Sequence, residues 1–395
     1  MKRIKAYKFR VYPSKASESL LNKTFGCCRL IYNTMLYEIK NKNPRSTEKQ
    51  LKDQLPFLKE VDSIALQQSR INLQTAFKNF KEKRTNYPIF KSRKSQQSFR
   101  TVATNGNIKI DFSNNTLKLP KLNPIKFKDD RTFTSPIRQV TVSKNRKNQY
   151  FASMLVEEEI FVQPIEDFKN TTGIDMGFSQ IVTLSDGIQV PNPKYLRNLE
   201  NRLKKIQRKF SKTKKSSKGR EKLRLKVATL HIKITNCRKD FLHKLSTLIT
   251  KKFDGICVEN LDIKGMLKNR RLAKSLQDLA WSKFVTMLEY KALWAGKTLL
   301  KAGRFFPSSK LCHRCNHKNT DLKLSDRVWT CPKCGTSHDR DINAAINLKN
   351  YFHNTLGTRG IYAGGDDVGL KPAMVIASQL PASNAVVFET RSPSL

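Results

Sequence analysis

Acidic residues are scarce in this sequence. The 395 residues include 32 Asp and Glu against 76 Lys and Arg, a formal net charge of +44. Self-repulsion of that size opposes compaction unless a polyanion neutralises it, and it is the electrostatic footprint of a nucleic-acid binder. Long apolar runs are missing as well. No stretch of about 18 apolar residues occurs, which excludes a membrane-spanning helix. The basic residues are spread along the chain rather than gathered on one amphipathic helix, which weighs against membrane-surface binding. Met1-Lys2-Arg3-Ile4-Lys5 lacks the apolar stretch of a signal peptide, so a reducing, cytoplasmic (nucleoid-associated) setting is expected. In that setting eight Cys argue for metal or free thiols rather than disulfides. No His-x-His pair occurs among the six His, and no internal repeat is visible.

What is present divides the chain into segments. Residues 4–12 alternate in polarity and read as a strand with one basic face, ended by Pro13 and Ser14. Residues 15–83 take a helical period, with Leu66, Leu73, Phe77 and Phe80 on one side of a helix and Gln67, Gln68, Arg70, Gln74 and Lys78 elsewhere on it. Residues 84–98 mix Tyr87 and Phe90 with Lys91, Arg93 and Lys94; cations neutralise phosphates while rings stack on bases. Residues 108–112, 117–119, 137–144 and 149–156 read as short strands of a small antiparallel barrel, with the 4–12 strand as its candidate completing strand. Residues 172–176 and 179–184 read as two strands joined by a turn. From Asn201 to Lys226 there are 13 Lys or Arg and one Glu, on a helix interrupted by a loop at 211–219. A helix near 240–252, a buried strand at 255–259, a helix over 277–300 and a short helix near 342–351 follow. The tail from Tyr362 is rich in Ala, Ser, Pro and Gly and is expected to be disordered.

Two constellations carry chemistry. Cys312-x2-Cys315 and Cys331-x2-Cys334 are two knuckles fifteen residues apart, the arrangement that gives Zn²⁺ four tetrahedral thiolates. With all four sites Cys, the metal has no open position and is structural. Gly335 follows the second knuckle where positive φ is useful, and Asn316 holds the matching place in the first. Three acids form the other group. Asp175 and Glu259 end apolar strands, and Asp341 opens a helix, where it is also an N-cap candidate. Carboxylates at strand ends lie at the mouth of a sheet. Their mutual repulsion calls for hard divalent cations such as Mg²⁺, which tolerate phosphate as a partner.

TGIDMG (172–177), VEN (258–260), the cysteine ribbon and HDRDINAAIN (338–347), with YPIFKSRK (87–94) and FETRSPSL (388–395), together resemble the TnpB family, the RNA-guided nucleases of prokaryotic insertion sequences. The resemblance spans nearly the whole chain. It implies a multidomain α+β fold: a RuvC-like (RNase H fold) nuclease split by a zinc ribbon, a β-barrel wedge domain and a helical recognition lobe. The expected division is 1–13 wedge strand, 14–97 recognition lobe, 98–165 wedge barrel, 166–305 and 339–361 nuclease, 306–338 ribbon and 362–395 tail. It also implies that Asp175, Glu259 and Asp341 are catalytic acids binding Mg²⁺ or Mn²⁺, with Arg340 a phosphate clamp. A monomer on one guide RNA would cut double-stranded target DNA beside a short transposon-adjacent motif. Lys91, Arg93 and Lys94 are then candidates for nucleic-acid contact, and Gln67, Gln68, Gln74, Phe77 and Lys78 for reading the motif. Three rival readings remain: an RNA-guided repressor without cleavage, which calls for a missing acid; a true transposase, which calls for strand transfer or a nucleophilic Tyr; and a transposition-associated DNA-binding protein, for which the length and the acids exceed what is needed.

Overall fold

The computed structural model describes residues 1–357, apart from Arg45, Glu166 and Leu324, together with Phe388–Glu389. Contacts divide the chain into two compact units that meet in sequence at Ile160 and Phe161. Among the described residues, no helix is long and apolar enough to cross a membrane.

The first unit is built on β1 (Lys2–Tyr12), whose alternation buries Tyr7, Phe9 and Val11. Three helices follow: α1 (Lys15–Lys40), capped by the Ser14 hydroxyl, α2 (Glu48–Gln54), opened by a Thr47/Gln50 capping box, and, after a 3₁₀ turn at Pro56–Glu60, α3 (Ser63–Lys81). The strands β2 (Gln97–Val102), β3 (Lys109–Asp111), β4 (Thr116–Lys118), β5 (Ile125–Lys128), β6 (Ile137–Lys144) and β7 (Tyr150–Glu159) complete its main chain. Their sheet runs β2-β6-β7-β1-β5-β4-β3. Thus β1 lies at the middle of the sheet rather than closing a barrel, and among the described strands the path is open between β2 and β3. Phe9, Phe112, Phe127 and Phe133 form a ring cluster in the core. Two strands of this unit escaped the pattern reading: β5, whose outer positions are Lys126 and Lys128, and β2, where Phe99 and Thr101 are the buried residues.

A last pair of residues, β15 (Phe388–Glu389), lies parallel to β1 at Ala6 and Tyr7. At Ala6 and Tyr7 the side of β1 away from β7 is not taken by β5, which pairs only at Arg10–Tyr12, and these two residues of the tail pair there. The remainder of the tail lies outside the described residues.

The second unit carries β8 (Thr171–Asp175), β9 (Gln180–Leu184), β10 (Gln189–Pro191), α4 (Tyr195–Lys212), α5 (Lys218–Lys252), β11 (Gly255–Val258), α6 (Ile263–Met266), α7 (Arg270–Leu279), α8 (Trp281–Trp294), β12 (Thr298–Lys301), β13 (Val328–Thr330), β14 (Ser337–Asp339) and α9 (Arg340–Gly357). Its sheet runs β10-β9-β8-β11-β12. The strands β8, β11 and β12 are parallel, while β9 and β10 form an antiparallel meander on β8. The first four residues of β8 and all of β11 are buried, because both faces are covered.

Two helical expectations change. The helix placed at 240–252 is the end of the 35-residue α5. No Pro interrupts 218–252, and burial of Ala228, Leu230 and Ile234 outweighs the modest propensity of its β-branched residues. The single helix placed at 277–300 is α7, α8 and β12. Ala280, at φ 53°, separates the two helices, and Gly296, at φ 70°, ends the second. A Cβ at Gly296 would lie 2.3 Å from the Gln163 carbonyl, so only glycine fits there.

Candidate active site and metal centre

The strand register places two acids side by side. Ile174 pairs with Val258 across β8 and β11, so the next residues, Asp175 and Glu259, emerge together at the carboxyl end of the sheet. The two carboxyl groups are close enough to shift one another. Burial, then the Glu259 charge, then the Asp341 charge push the Asp175 carboxyl well above the ordinary carboxylate range. Glu259 is raised as well, chiefly by burial, although the Ser308 hydroxyl donates to its Oε1 at 2.7 Å. Both acids feel the Arg340 guanidinium, which favours their charged forms. The Arg327 guanidinium lies 3.4 Å from Asp341 Oδ1.

Helix α9 brings the third acid. Its start differs from expectation: Asp339, not Asp341, caps the helix, its Oδ1 accepting from the backbone N–H groups of Asp341 and Ile342 at 3.0 and 2.9 Å. That leaves the Asp341 side chain in the first turn free of capping duty. The approach of α9 to the sheet is very close. A Cβ on Gly173 would sit 2.0 Å from the Ala345 carbonyl oxygen and 2.5 Å from Lys349 N. The Phe352 ring occupies the corresponding space over Gly255 of β11.

Two buried asparagines one turn apart, Asn343 and Asn347, fasten α9 to the segment entering the ribbon. Asn347 Nδ2 donates to Ser308 O at 2.8 Å and Leu311 O at 2.5 Å. Asn343 Nδ2 donates to Leu311 O at 2.7 Å, and its Oδ1 accepts from the His313 backbone N–H at 3.1 Å. Composition and motif spacing missed Ser308, Gly173 and both asparagines. The signal was two poor helix formers spaced i, i+4 inside an otherwise good helix.

The four cysteine sulfurs all lie within 4.8 Å of one another, the compact metal-type group among the described residues. Cys312–Cys334 and Cys315–Cys331 are each 3.6 Å apart. With Zn–S near ~2.3 Å, the edge of a tetrahedron is about 3.8 Å, so the set fits zinc. The knuckles repeat one another: Asn316 N donates to Cys312 O and Gly335 N to Cys331 O, each at 2.9 Å. Asn316 and Gly335 have φ of 57° and 69°, as their matched places require. His338 Nε2 lies 3.1 Å from Cys312 Sγ, outside the cysteine set, with its ring tilted against Trp329 at 4.8 Å. The Thr336 hydroxyl and backbone N–H lower the Cys334 thiol to about 6, while Cys315, against the His317 backbone N–H, is pushed up to about 12 by burial and the other three thiols, so the four sulfurs titrate as one group.

The remaining sequence candidates lie in the first unit. On α3, Gln67, Gln74 and Lys78 are exposed and Gln68 is partly so, while Phe77 packs edge-on to Tyr87 at 5.5 Å. Arg93 and Lys94 are exposed. Lys91 instead turns its ammonium over the Tyr32 ring at 3.8 Å.

Comparisons with known proteins bear on this arrangement. Family models described as "Probable transposase", "Cas12f1-like, TNB domain" and "Helix-turn-helix domain" match residues 129–270, 281–348 and 1–43. Residues 1–43 here hold one strand and one helix. A Streptomyces pristinaespiralis protein named "Putative RNA-guided DNA endonuclease" is 40% identical over 360 residues, covering 87% of this chain and 88% of that protein. The chain belongs to the TnpB family. The family's Escherichia coli (strain K12) protein named "Putative RNA-guided DNA endonuclease InsQ" is 28% identical over 405 residues, covering 95% of this chain and 99% of that one. A solved Cas12f1–sgRNA–target DNA complex shares the fold, with TM-score 0.53 at 15% identity over 85% of this chain and 83% of that one.

Proposed function

We propose that this chain is an RNA-guided DNA endonuclease whose second unit is a RuvC-like, RNase H-fold nuclease interrupted by a zinc ribbon. The convergence of Asp175, Glu259 and Asp341 carries this reading. Asp175 and Glu259 stand side by side at the sheet mouth, and the charge of Asp341, itself 3.4 Å from the Arg327 guanidinium, reaches Asp175. The sheet order, a meander joined to parallel strands, supports the fold assignment. Relatives named as RNA-guided DNA endonucleases support the activity.

The donors are all carboxylate oxygens, so the site suits Mg²⁺ or Mn²⁺. Bound there, divalent ions supply an activated water and stabilise the leaving oxygen of an in-line phosphodiester displacement. The protein's part is geometry. Strands β8 and β11 fix Asp175 and Glu259 in register, the Ser308 hydroxyl orients Glu259, and α9 delivers Asp341. Arg340, whose charge reaches both strand acids, is suited to hold a phosphate of the cut strand. Zinc held by Cys312, Cys315, Cys331 and Cys334 would keep the ribbon folded. The basic α4–α5 hairpin, with Lys205, Arg208, Lys209 and Lys212 together on α4, suits an RNA or heteroduplex backbone. We assign the helices of the first unit to the recognition lobe and its sheet to the wedge. Gln67, Gln74 and Lys78 remain our candidates for the adjacent motif, and Arg93 and Lys94 for backbone contact. One chain on one guide RNA is the assembly we propose.

The test is co-expression with RNA from the flanking locus, followed by challenge with a plasmid library bearing a guide-matched target beside random sequence. Mg²⁺-dependent cutting that disappears in Asp175→Ala, with RNA still bound, is the expected result. Binding without cutting by the unaltered chain would replace this reading with that of a repressor.

A further inference from the structure

A pocket of ≈ 70 Å³ opens in the first unit where α1, α3 and the start of β2 converge. One water needs about 15 Å³ on the same scale, so there is room for several waters or for one oxyanion. Three cations line it, Arg29 from α1, Lys91 from the preceding loop and Arg100 from β2, and no Asp or Glu does. None of the three makes an ion pair among the described residues, whereas Arg3, Arg70, Arg131 and Arg138 of the same unit each pair with a carboxylate. Arg100 Nε is buried with no hydrogen-bond partner. Burial lowers both Lys91 and Arg100 below their ordinary values, the mark of positive charge held without compensation.

The cations are also held in place. The Asn33 amide brackets the Lys91 backbone, accepting from its N–H at 2.8 Å and donating to its carbonyl at 2.9 Å. Arg29 Nη1 donates to Gln97 Oε1 at 3.1 Å, while Gln97 Nε2 donates to the Ser95 carbonyl at 2.8 Å. Ser69 and Asn72 from α3 add neutral polar groups to the wall. Lys91 rests its ammonium on the Tyr32 ring, while orienting Arg29 and Arg100 with no carboxylate beside them costs folding free energy that an incoming anion returns.

We propose that this pocket binds a single phosphate group of the nucleic-acid backbone, gripped by Arg29, Lys91 and Arg100. The proposal rests on the nucleic-acid reading above and adds to it a fixed anchoring point in the first unit. The phosphate could belong to RNA or to duplex DNA, and salt dependence separates them. Binding of the full-length chain to a single-stranded RNA and to a DNA duplex is measured over a KCl series. In Arg100→Gln, the slope of log K against log[KCl] flattens by about 0.7 for RNA if a single strand supplies the phosphate, or by about 0.9 for DNA if a duplex does. The double variant Arg29→Gln/Arg100→Gln flattens it by no more than the single one, because both cations serve one phosphate. Arg100→Lys keeps the slope of the unaltered chain. Unchanged slopes for both nucleic acids, in an Arg100→Gln or Arg29→Gln protein that melts like the unaltered chain, overturn the proposal. No salt-dependent binding by the unaltered chain would overturn the nucleic-acid reading itself, and the pocket assignment with it.

Discussion

Replacing Gly173 with Ala tests how the candidate active site is assembled, through a position that is no ligand. The added Cβ would lie 2.0 Å from the Ala345 carbonyl oxygen, 2.5 Å from Lys349 N and 2.7 Å from Leu348 Cβ. Ordinary contact begins at 3.4 Å, so the helix backbone is about 1.4 Å too close and has no side-chain rotamer to move aside. Overpacking of this kind costs about 1–3 kcal/mol. The relief available is retreat of α9 from β8, and Asp341 lies one helical turn before Ala345. A displacement of about 1 Å at a reacting group is worth about 100-fold in rate. Single-turnover cleavage of a guide-matched target should therefore fall by about 100-fold, while RNA affinity, which does not depend on this contact, stays unchanged. A folded Gly173→Ala protein that cuts at the unaltered rate would refute the argument that α9 proximity sets the site. So would equal losses in RNA binding and cutting.

Ser308→Ala removes the 2.7 Å donor to Glu259 and should slow cleavage by roughly tenfold, since a hydrogen bond to a charged group is worth about 1.5 kcal/mol or more; a rate equal to that of the unaltered chain would remove Ser308 from the mechanism. Asn316→Val forces a β-branched residue to φ 57° at a strain of about 1–2 kcal/mol and should weaken zinc retention in a chelator competition, whereas Asn316→Gly should hold zinc as the unaltered chain does. The Glu158 carboxyl is raised by burial but held lower overall by the Tyr7 hydroxyl, at 2.7 Å, and the Arg3 guanidinium. Its folded value is thus depressed, so its contribution is present above the ordinary glutamate range and is lost as pH falls through the folded value. Glu158→Gln should flatten the acid limb of the stability profile, read by urea denaturation at a series of pH values.

The parts legible in sequence were those with a local signature. The cysteine spacing, the paired positive-φ positions at Asn316 and Gly335, and the apolar strands ending in Asp175 and Glu259 each need only a few neighbouring residues. What escaped depends on partners distant in the chain. Ser308 matters because Glu259, 49 residues away, is beside it. Gly173 matters because α9 returns to it after more than 160 residues, and a glycine in a strand does not announce what approaches. Asp341 looked like a helix cap because the alternative, Asp339, lies just outside the periodic pattern, and only the bonds to Asp341 N and Ile342 N separate them. The continuous α5 was hidden by Ile, Val and Thr residues whose low propensity is offset by packing.

Strand β14 ends at Asp339 and α9 begins at Arg340, with no residue between them. The cysteine hairpin therefore sets the rotational phase of the helix that follows. Each residue added or removed at this junction would turn Asp341 by about 100° around the helix axis and shift it about 1.5 Å along it. The length of the ribbon's outer loop carries no such constraint, whereas the step from His338 to Asp341 is metrically fixed. This hairpin thus works as an indexing device, converting the position of the four-cysteine cluster into the angular setting of a carboxylate.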